Sequence, residues 1–140
     1  MNEPIKTQLH ANIDPASAIE WRQKLDGIVG LNAELGLYRI RGNLEGYLRM
    51  LKAFVSGHAE EVTQLADALA ENDLATLKDI AHSLKGSGGT IGAERLAESA
   101  TVMDTALRNQ AAIGEIEVHC VGLIAELAAL IEGIRSALKV

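Results

Sequence analysis

Apolar side chains recur along most of this chain at the spacing of an α-helix. Between residues 74 and 90 they fall at i, i+3, i+4 and i+7, which places them on one face of a predicted helix. The members of this stripe are Leu77, Ile80, Ala81 and Leu84. Further upstream, apolar positions alternate steps of four and three and predict the longest helix of the chain, about 28 residues. That stripe contains Leu44, Leu48, Leu51, Val55, His58, Val62, Leu65 and Leu69.

Two more amphipathic helices are predicted in the C-terminal part of the chain. One runs from about Ala93 to Arg108, and its inner face is formed by Leu96, Ala100, Met103 and Leu107. The other runs from about Glu115 to Leu138, with Ile116, Cys120, Leu123, Leu127, Ile131, Ile134 and Leu138 inward. Four long amphipathic helices joined by short connections predict an all-α fold, an antiparallel up-and-down four-helix bundle.

The N-terminal part of the chain shows a different pattern. Residues 1–14 lack periodicity and are expected to form a flexible tail or linker, which leaves residues 15–140 as one domain. Asp14-Pro15 predicts the cap and first residue of a short helix. A second short helix is predicted from about Ala33 to Ile40. We expect these two helices to cap one end of the bundle.

Composition agrees with this fold and excludes several functions. Hydrophobic residues make up 48% of the 140 residues and aromatic residues only 3%, which favours packed helices. The net charge of −6, without a cluster of Lys or Arg, argues against binding to nucleic acid. No apolar run approaches the roughly 20 residues of a membrane helix. The single cysteine, Cys120, cannot form an internal disulfide, and we expect a cytoplasmic protein without membrane insertion.

A candidate site lies on the polar face of the helix predicted near residues 74–90. His82 falls off the apolar stripe, with Lys78 four residues before it. Lys85, Gly86 and Gly89 follow at three, four and seven residues, so all share its solvent-facing side. The pattern predicts an imidazole presented to a partner, with Lys78, Gly86 and Gly89 as docking positions.

The glycines of this segment need an explanation. Each glycine inside an exposed helix costs about 1 kcal/mol relative to alanine, so Gly86, Gly88 and Gly89 together cost about 2 to 3 kcal/mol. One glycine is enough to end a helix as a C-cap. Three glycines at these positions indicate instead that a partner's backbone approaches the imidazole closely.

Two segments of the chain resemble a known family. The sequence HSLKGSGGTIGAERL, which begins at His82, resembles the signature of the histidine-containing phosphotransfer (HPt) domains of bacterial multistep phosphorelays. The sequence LNAELGLYRIRGNLEGYLRMLKAF, which begins at Leu31, resembles the lead-in to the family's long second helix. The resemblance extends over about residues 31–138. It implies an all-α monomer whose histidine takes a phosphoryl group from the aspartyl phosphate of one receiver domain and passes it to another.

The resemblance and the chemistry of the side chains together imply roles for individual residues. His82 matches the phosphoacceptor, and Lys85, one helical turn away, can neutralise the phosphoryl oxygens. The family commonly carries a glutamine or an acidic residue on the next helix that faces the histidine, and Asp104 matches that position. Asp104 could hold the second ring nitrogen and so orient the imidazole. No metal site is expected in this chain, and Mg²⁺ would belong to the receiver partner.

Family members stand alone or form the C-terminal module of hybrid sensor kinases. The expected partners are therefore response-regulator receiver domains and a hybrid sensor histidine kinase. Two alternatives remain open from the residues: a receiver-binding helical adaptor without phosphotransfer, and the dimerisation module of a histidine kinase. The second would place an acidic residue directly after the histidine, where this chain has Ser83. With no ATP-binding domain in view, we expect no autokinase activity.

The other histidines and the serines near His82 are not expected to be catalytic or metal-binding residues. His58 lies in the apolar stripe of its predicted helix, so we interpret it as packed and hydrogen-bonded rather than as a second acceptor. His10 and His119 have no partner at the spacing of a metal site. Ser83 and Ser87 lack the other members of a catalytic triad, which argues against a hydrolase.

Overall fold

The computed structural model describes residues 13–140, and these form seven α-helices and no β-strand. In chain order the helices are α1 (Pro15–Asp26), α2 (Ala33–Arg39), α3 (Leu44–His58), α4 (Glu61–Ala70), α5 (Leu74–Ile91), α6 (Glu94–Arg108) and α7 (Ile113–Leu138). The expected N-terminal tail lies outside the described residues except for Ile13 and Asp14. No helix in residues 13–140 is long and apolar enough to span a membrane.

Helices α3 to α7 form a four-membered bundle in which α3 and α4 together occupy one position. Helix α5 packs against α6, α6 packs against α7, and α7 packs back against α3 and α4. The predicted all-α four-helix bundle is confirmed. Helix α2 packs on α3 and α5, and α1 packs on α2 and α7. The backbone N–H of Asn32 donates to the Gly92 carbonyl at 2.9 Å, so the short helices are attached where α5 ends.

The core contains the apolar stripe predicted for α5, since Leu77, Ile80, Ala81 and Leu84 are all buried. Tyr47 of α3 is also fully buried. Its hydroxyl donates to the Ile91 carbonyl at 2.6 Å and thereby joins α3 to the last turn of α5. Burial raises the pKa of the Tyr47 phenol, which therefore remains a neutral donor.

The helix predicted over residues 44–69 is divided in the structure. Helix α3 ends at His58 and α4 begins at Glu61, although the backbone remains right-handed at Ala59 and Glu60. The poor helix formers Ser56 and Gly57 precede the break, a combination that is found at helix kinks. The expectation of one helix of about 28 residues is therefore wrong, and the longest helix is α7, with 26 residues.

Side chains cap the helices that lead into the site. Asn43 accepts from the Gly46 N–H at 3.0 Å at the start of α3. Asp73 accepts from the Thr76 hydroxyl at 2.6 Å and from the Thr76 N–H at 3.1 Å at the start of α5. These hydrogen bonds lower the pKa of Asp73 because they stabilise its charged form.

Candidate functional site

His82 is exposed near the middle of α5, on the face opposite the buried stripe. Its outward position follows from the helical period, because positions 77, 80, 81 and 84 all turn into the core. Lys85 follows one turn later, with 42% of its side chain exposed. Lys78, four residues before His82, is also exposed. The structure therefore places an imidazole and two lysines on the surface of one helix.

A groove of about 570 Å³ runs beside His82 between α3 and α5. Helix α5 contributes His82, Ser83, Gly86, Ser87, Thr90 and Ile91, and α3 contributes Met50, Ala53, Phe54 and His58. One wall is thus polar and partly bare, while the other carries larger apolar side chains. The sequence did not identify the α3 wall, because the meeting of α3 with α5 depends on their packing.

The glycines of α5 have different surroundings. A Cβ added at Gly86 or Gly89 would have no neighbour within 4 Å, so both positions leave open space on the His82 face. A Cβ at Gly88 would lie 3.4 Å from the Ala93 carbonyl oxygen, because Gly88 is buried against the start of α6. The expectation that all three glycines serve a partner's approach therefore needs correction for Gly88, which packs within the bundle.

The glycine that ends α5 is Gly92, which has a φ of +87°. A side chain there would overlap the Asn32 carbonyl oxygen. Gly86 and Gly89 are consequently not required as helix terminators, since the C-cap function is filled elsewhere.

Asp104 lies on α6 with only 2% of its surface exposed. Its Oδ2 accepts from Arg108 Nη2 at 2.6 Å and lies 4.0 Å from Lys85 Nζ. Neither contact involves His82, so an orienting role for Asp104 on the imidazole stays a prediction. The structure nevertheless brings Asp104 to the site through Lys85. Arg108 was not among the residues predicted from the sequence, although its i+4 spacing from Asp104 is a usable signal.

The Hpt domain family model matches residues 49–138 of this chain. The chain belongs to the Hpt domain family. The phosphorelay protein LuxU from two strains of Vibrio vulnificus is 31% identical over 90 residues, covering 64% of this chain and 72% of LuxU. A crystal structure of the HPT domain from a sensor hybrid histidine kinase of Shewanella superposes with a TM-score of 0.70. That match has 27% sequence identity and covers 79% of this chain and 94% of the Shewanella chain.

Membership of the Hpt family confirms the main expectation from the sequence, phosphotransfer in a phosphorelay with receiver domains as the class of partner. The two alternatives, a non-transferring adaptor and a kinase dimerisation module, are not favoured. The family match includes all of α4 to α7 and most of α3, and therefore the whole His82 face and its groove.

Two further side chains of this Hpt domain, His58 and Arg39, lie close to the His82 surface. His58 is half-buried, with its Nδ1 hydrogen-bonded to Glu61 and its ring centroid 4.6 Å from that of Phe54. Its interpretation as a packed, hydrogen-bonded histidine is confirmed. Arg39 of α2 donates a hydrogen bond to the Gly89 carbonyl. The two residues are 50 positions apart in the chain, so local sequence patterns could not predict this contact. Within residues 13–140, no three His, Cys, Asp or Glu side chains are grouped to hold a metal ion.

Proposed function

We propose that His82 accepts a phosphoryl group from the aspartyl phosphate of one receiver domain and donates it to a second receiver domain. The supporting observation is the placement of His82 on α5: it is exposed, lines the groove between α3 and α5, and has bare Gly86 one turn away. A receiver must bring its own backbone and aspartate close to the imidazole, and this surface leaves room for it.

The chemistry requires little beyond position and charge. An unprotonated ring nitrogen of His82 attacks phosphorus, the new N–P bond forms, and the bond from phosphorus to the aspartyl oxygen breaks. The released aspartate carboxylate keeps the electron pair of that bond, and the return step to a second receiver is the reverse. The other ring nitrogen carries the proton throughout.

Lys85 supplies positive charge in this proposal. Its ammonium lies on the same face as His82 and can reach the phosphoryl oxygens, where charge accumulates in the transition state. Lys78, Gly86 and Gly89 form the docking positions, since all three lie on this face and neither glycine presents a side chain. Mg²⁺ would be held by the receiver, which carries the acidic phosphorylation site.

The test is uptake of label from a radiolabelled phospho-receiver. The His82→Gln variant should remain folded and take up no acid-labile phosphate. His119→Gln is the matched control, because His119 lies on α7 and lines a different groove, between α6 and α7; it should be labelled like the parent protein. Label that persists in His82→Gln, or that requires His58, would contradict the assignment.

The proposal extends to the organisation of the protein. Residues 15–140 act as one monomeric domain, and the site of action is the cytoplasm. The contacts of α1 with α2 and α7, and of α2 with α3 and α5, support their inclusion in the domain. Light scattering at the concentrations of the transfer assay should give the mass of one chain, and a stable dimer would contradict the monomer.

A further inference from the structure

One buried carboxylate in the site is shared by two cations. Asp104 is almost fully buried on α6, and both contacts that its side chain makes are through Oδ2. Arg108, one turn further along α6, makes a hydrogen bond of 2.6 Å, while Lys85 of α5 lies at 4.0 Å. The stronger partner therefore belongs to the helix of Asp104, and the weaker partner comes from the helix of His82.

We propose that Asp104 is a positioning residue for Lys85, and that Arg108 keeps Asp104 paired so that Lys85 can leave for the phosphoryl group. This inference rests on the proposed function, because it concerns how the same site accommodates the negative charge of the phosphoryl group on His82. It assigns Asp104 to the lysine rather than to the imidazole ring.

The physical reason begins with burial. A buried carboxylate that loses its only partner is strongly unfavourable, so a lysine that was its sole partner would be held firmly. Arg108 removes this constraint because its hydrogen bond stays within α6 and does not involve α5. Asp104 then remains paired whether or not Lys85 is present.

The distances indicate that the interaction between Lys85 and Asp104 is weak enough to be broken. At 4.0 Å the Lys85 ammonium is attracted to Oδ2 but makes no hydrogen bond with it. A phosphoryl group on His82 would present new anionic oxygens one turn from Lys85, and these are not already neutralised by an arginine. Lys85 should therefore move from Asp104 to the phosphoryl group when His82 is phosphorylated.

The first experiment follows the Lys85 ammonium by NMR in the unphosphorylated protein, through its Nζ chemical shift and hydrogen exchange. Asp104→Asn keeps the size of the side chain and removes its charge, and it should change the Lys85 shift and accelerate exchange severalfold. Arg108→Gln should slow exchange, because Asp104 then holds Lys85 alone. Arg95→Gln is the matched control on the same helix, since Arg95 pairs with Glu126 of α7; it should leave the Lys85 signal unchanged.

The second experiment phosphorylates His82 chemically with phosphoramidate, so that no receiver is needed. The Lys85 signals of the parent protein and of Asp104→Asn should then converge, since both lysines contact the phosphoryl group. A Lys85 signal that is the same in the unphosphorylated parent and in Asp104→Asn would overturn the positioning role. Signals that remain different after phosphorylation would overturn the release.

The third experiment measures rates of phosphotransfer in variants of Arg108 and Lys85. It can therefore be carried out even if the Asp104→Asn variant does not fold normally. Arg108→Gln should slow transfer from a phospho-receiver by about fivefold, and Arg108→Lys should restore most of the rate. In a Lys85→Ala background the Arg108→Gln effect should disappear. An Arg108 effect of equal size without Lys85 would refute the mechanism. A parent protein that takes up no label on His82 would refute the proposed function instead, and the NMR of the unphosphorylated protein would still decide the contact.

Discussion

A substitution at Gly86 should change the stability of this domain and its phosphotransfer rate in opposite directions. It lies inside α5, one turn after His82, and an added Cβ would meet no atom within 4 Å. The backbone there is ordinary helix, so nothing in the fold requires glycine. If the position is bare because a receiver domain approaches closely, a larger side chain should obstruct the receiver and leave the bundle intact.

The expected effect on stability can be worked out from the helix. Glutamine is a better helix former than glycine, and at an exposed interior position Gly86→Gln should increase the free energy of unfolding by about 0.5 kcal/mol. For a domain of this size that corresponds to a rise in Tm of about 2 °C. Transfer from a phospho-receiver should fall at least tenfold, equivalent to about 1.4 kcal/mol in the transition state.

Gly122 provides the matched control. It lies inside α7, its added Cβ would also meet nothing within 4 Å, and it lines the groove between α6 and α7 rather than the one beside His82. Gly122→Gln should raise the Tm by a similar amount and leave transfer unchanged. The assay is a thermal melt followed by circular dichroism, together with label transfer from the same phospho-receiver.

Two results would refute this reasoning. If Gly86→Gln lowers the Tm and the transfer rate together, the glycine serves the fold and not the partner. If Gly86→Gln melts higher and transfers at the parent rate, the receiver does not approach this position. Gly89 is less suitable for the test, because its carbonyl accepts from Arg39 and a change there could disturb α2 as well.

Three further predictions concern charge, backbone and pH. Lys85→Ala should slow phosphotransfer by about tenfold to a hundredfold, or about 1 to 3 kcal/mol, and Lys85→Arg should retain part of the rate in the same labelling assay. Gly92→Ala should destabilise the domain by more than about 2 kcal/mol in urea unfolding, since a side chain at φ +87° is strained and overlaps Asn32; a smaller loss would contradict the cap. The cap of Asp73 should make stability fall in acid: its pKa in the folded state lies below the usual 3.8, so its contribution is complete above that pH and is lost as the pH falls through the lower value. Melts from pH 7 to pH 2 should show Asp73→Ala less stable than the parent at neutral pH and the difference disappearing in acid, and a constant difference would refute this.

The helices and the direction of His82 could be predicted from the sequence because the responsible forces are local. The stripe in α5 and the caps at Asn43 and Asp73 involve residues three or four positions apart, which the helical repeat brings together. The break between α3 and α4 was missed, because the apolar spacing continues across Ala59 and Glu60 while the hydrogen-bonded helix does not. Ser56 and Gly57, which are poor helix formers, were a sequence signal for this break.

From the amino-acid sequence alone it follows that a histidine, a lysine and glycines without side chains share one outward face of a helix in an all-α bundle. The surroundings of these residues depend on how the helices pack. They include the α3 wall of the groove, the contact of Arg39 with Gly89, the burial of Gly88, and the pairing of Asp104 with Lys85. The physical reason is that helical periodicity fixes the direction of a side chain around its own axis. The rotation and axial shift of one helix against its neighbour are set by the packing of the whole core, and they select which residues meet.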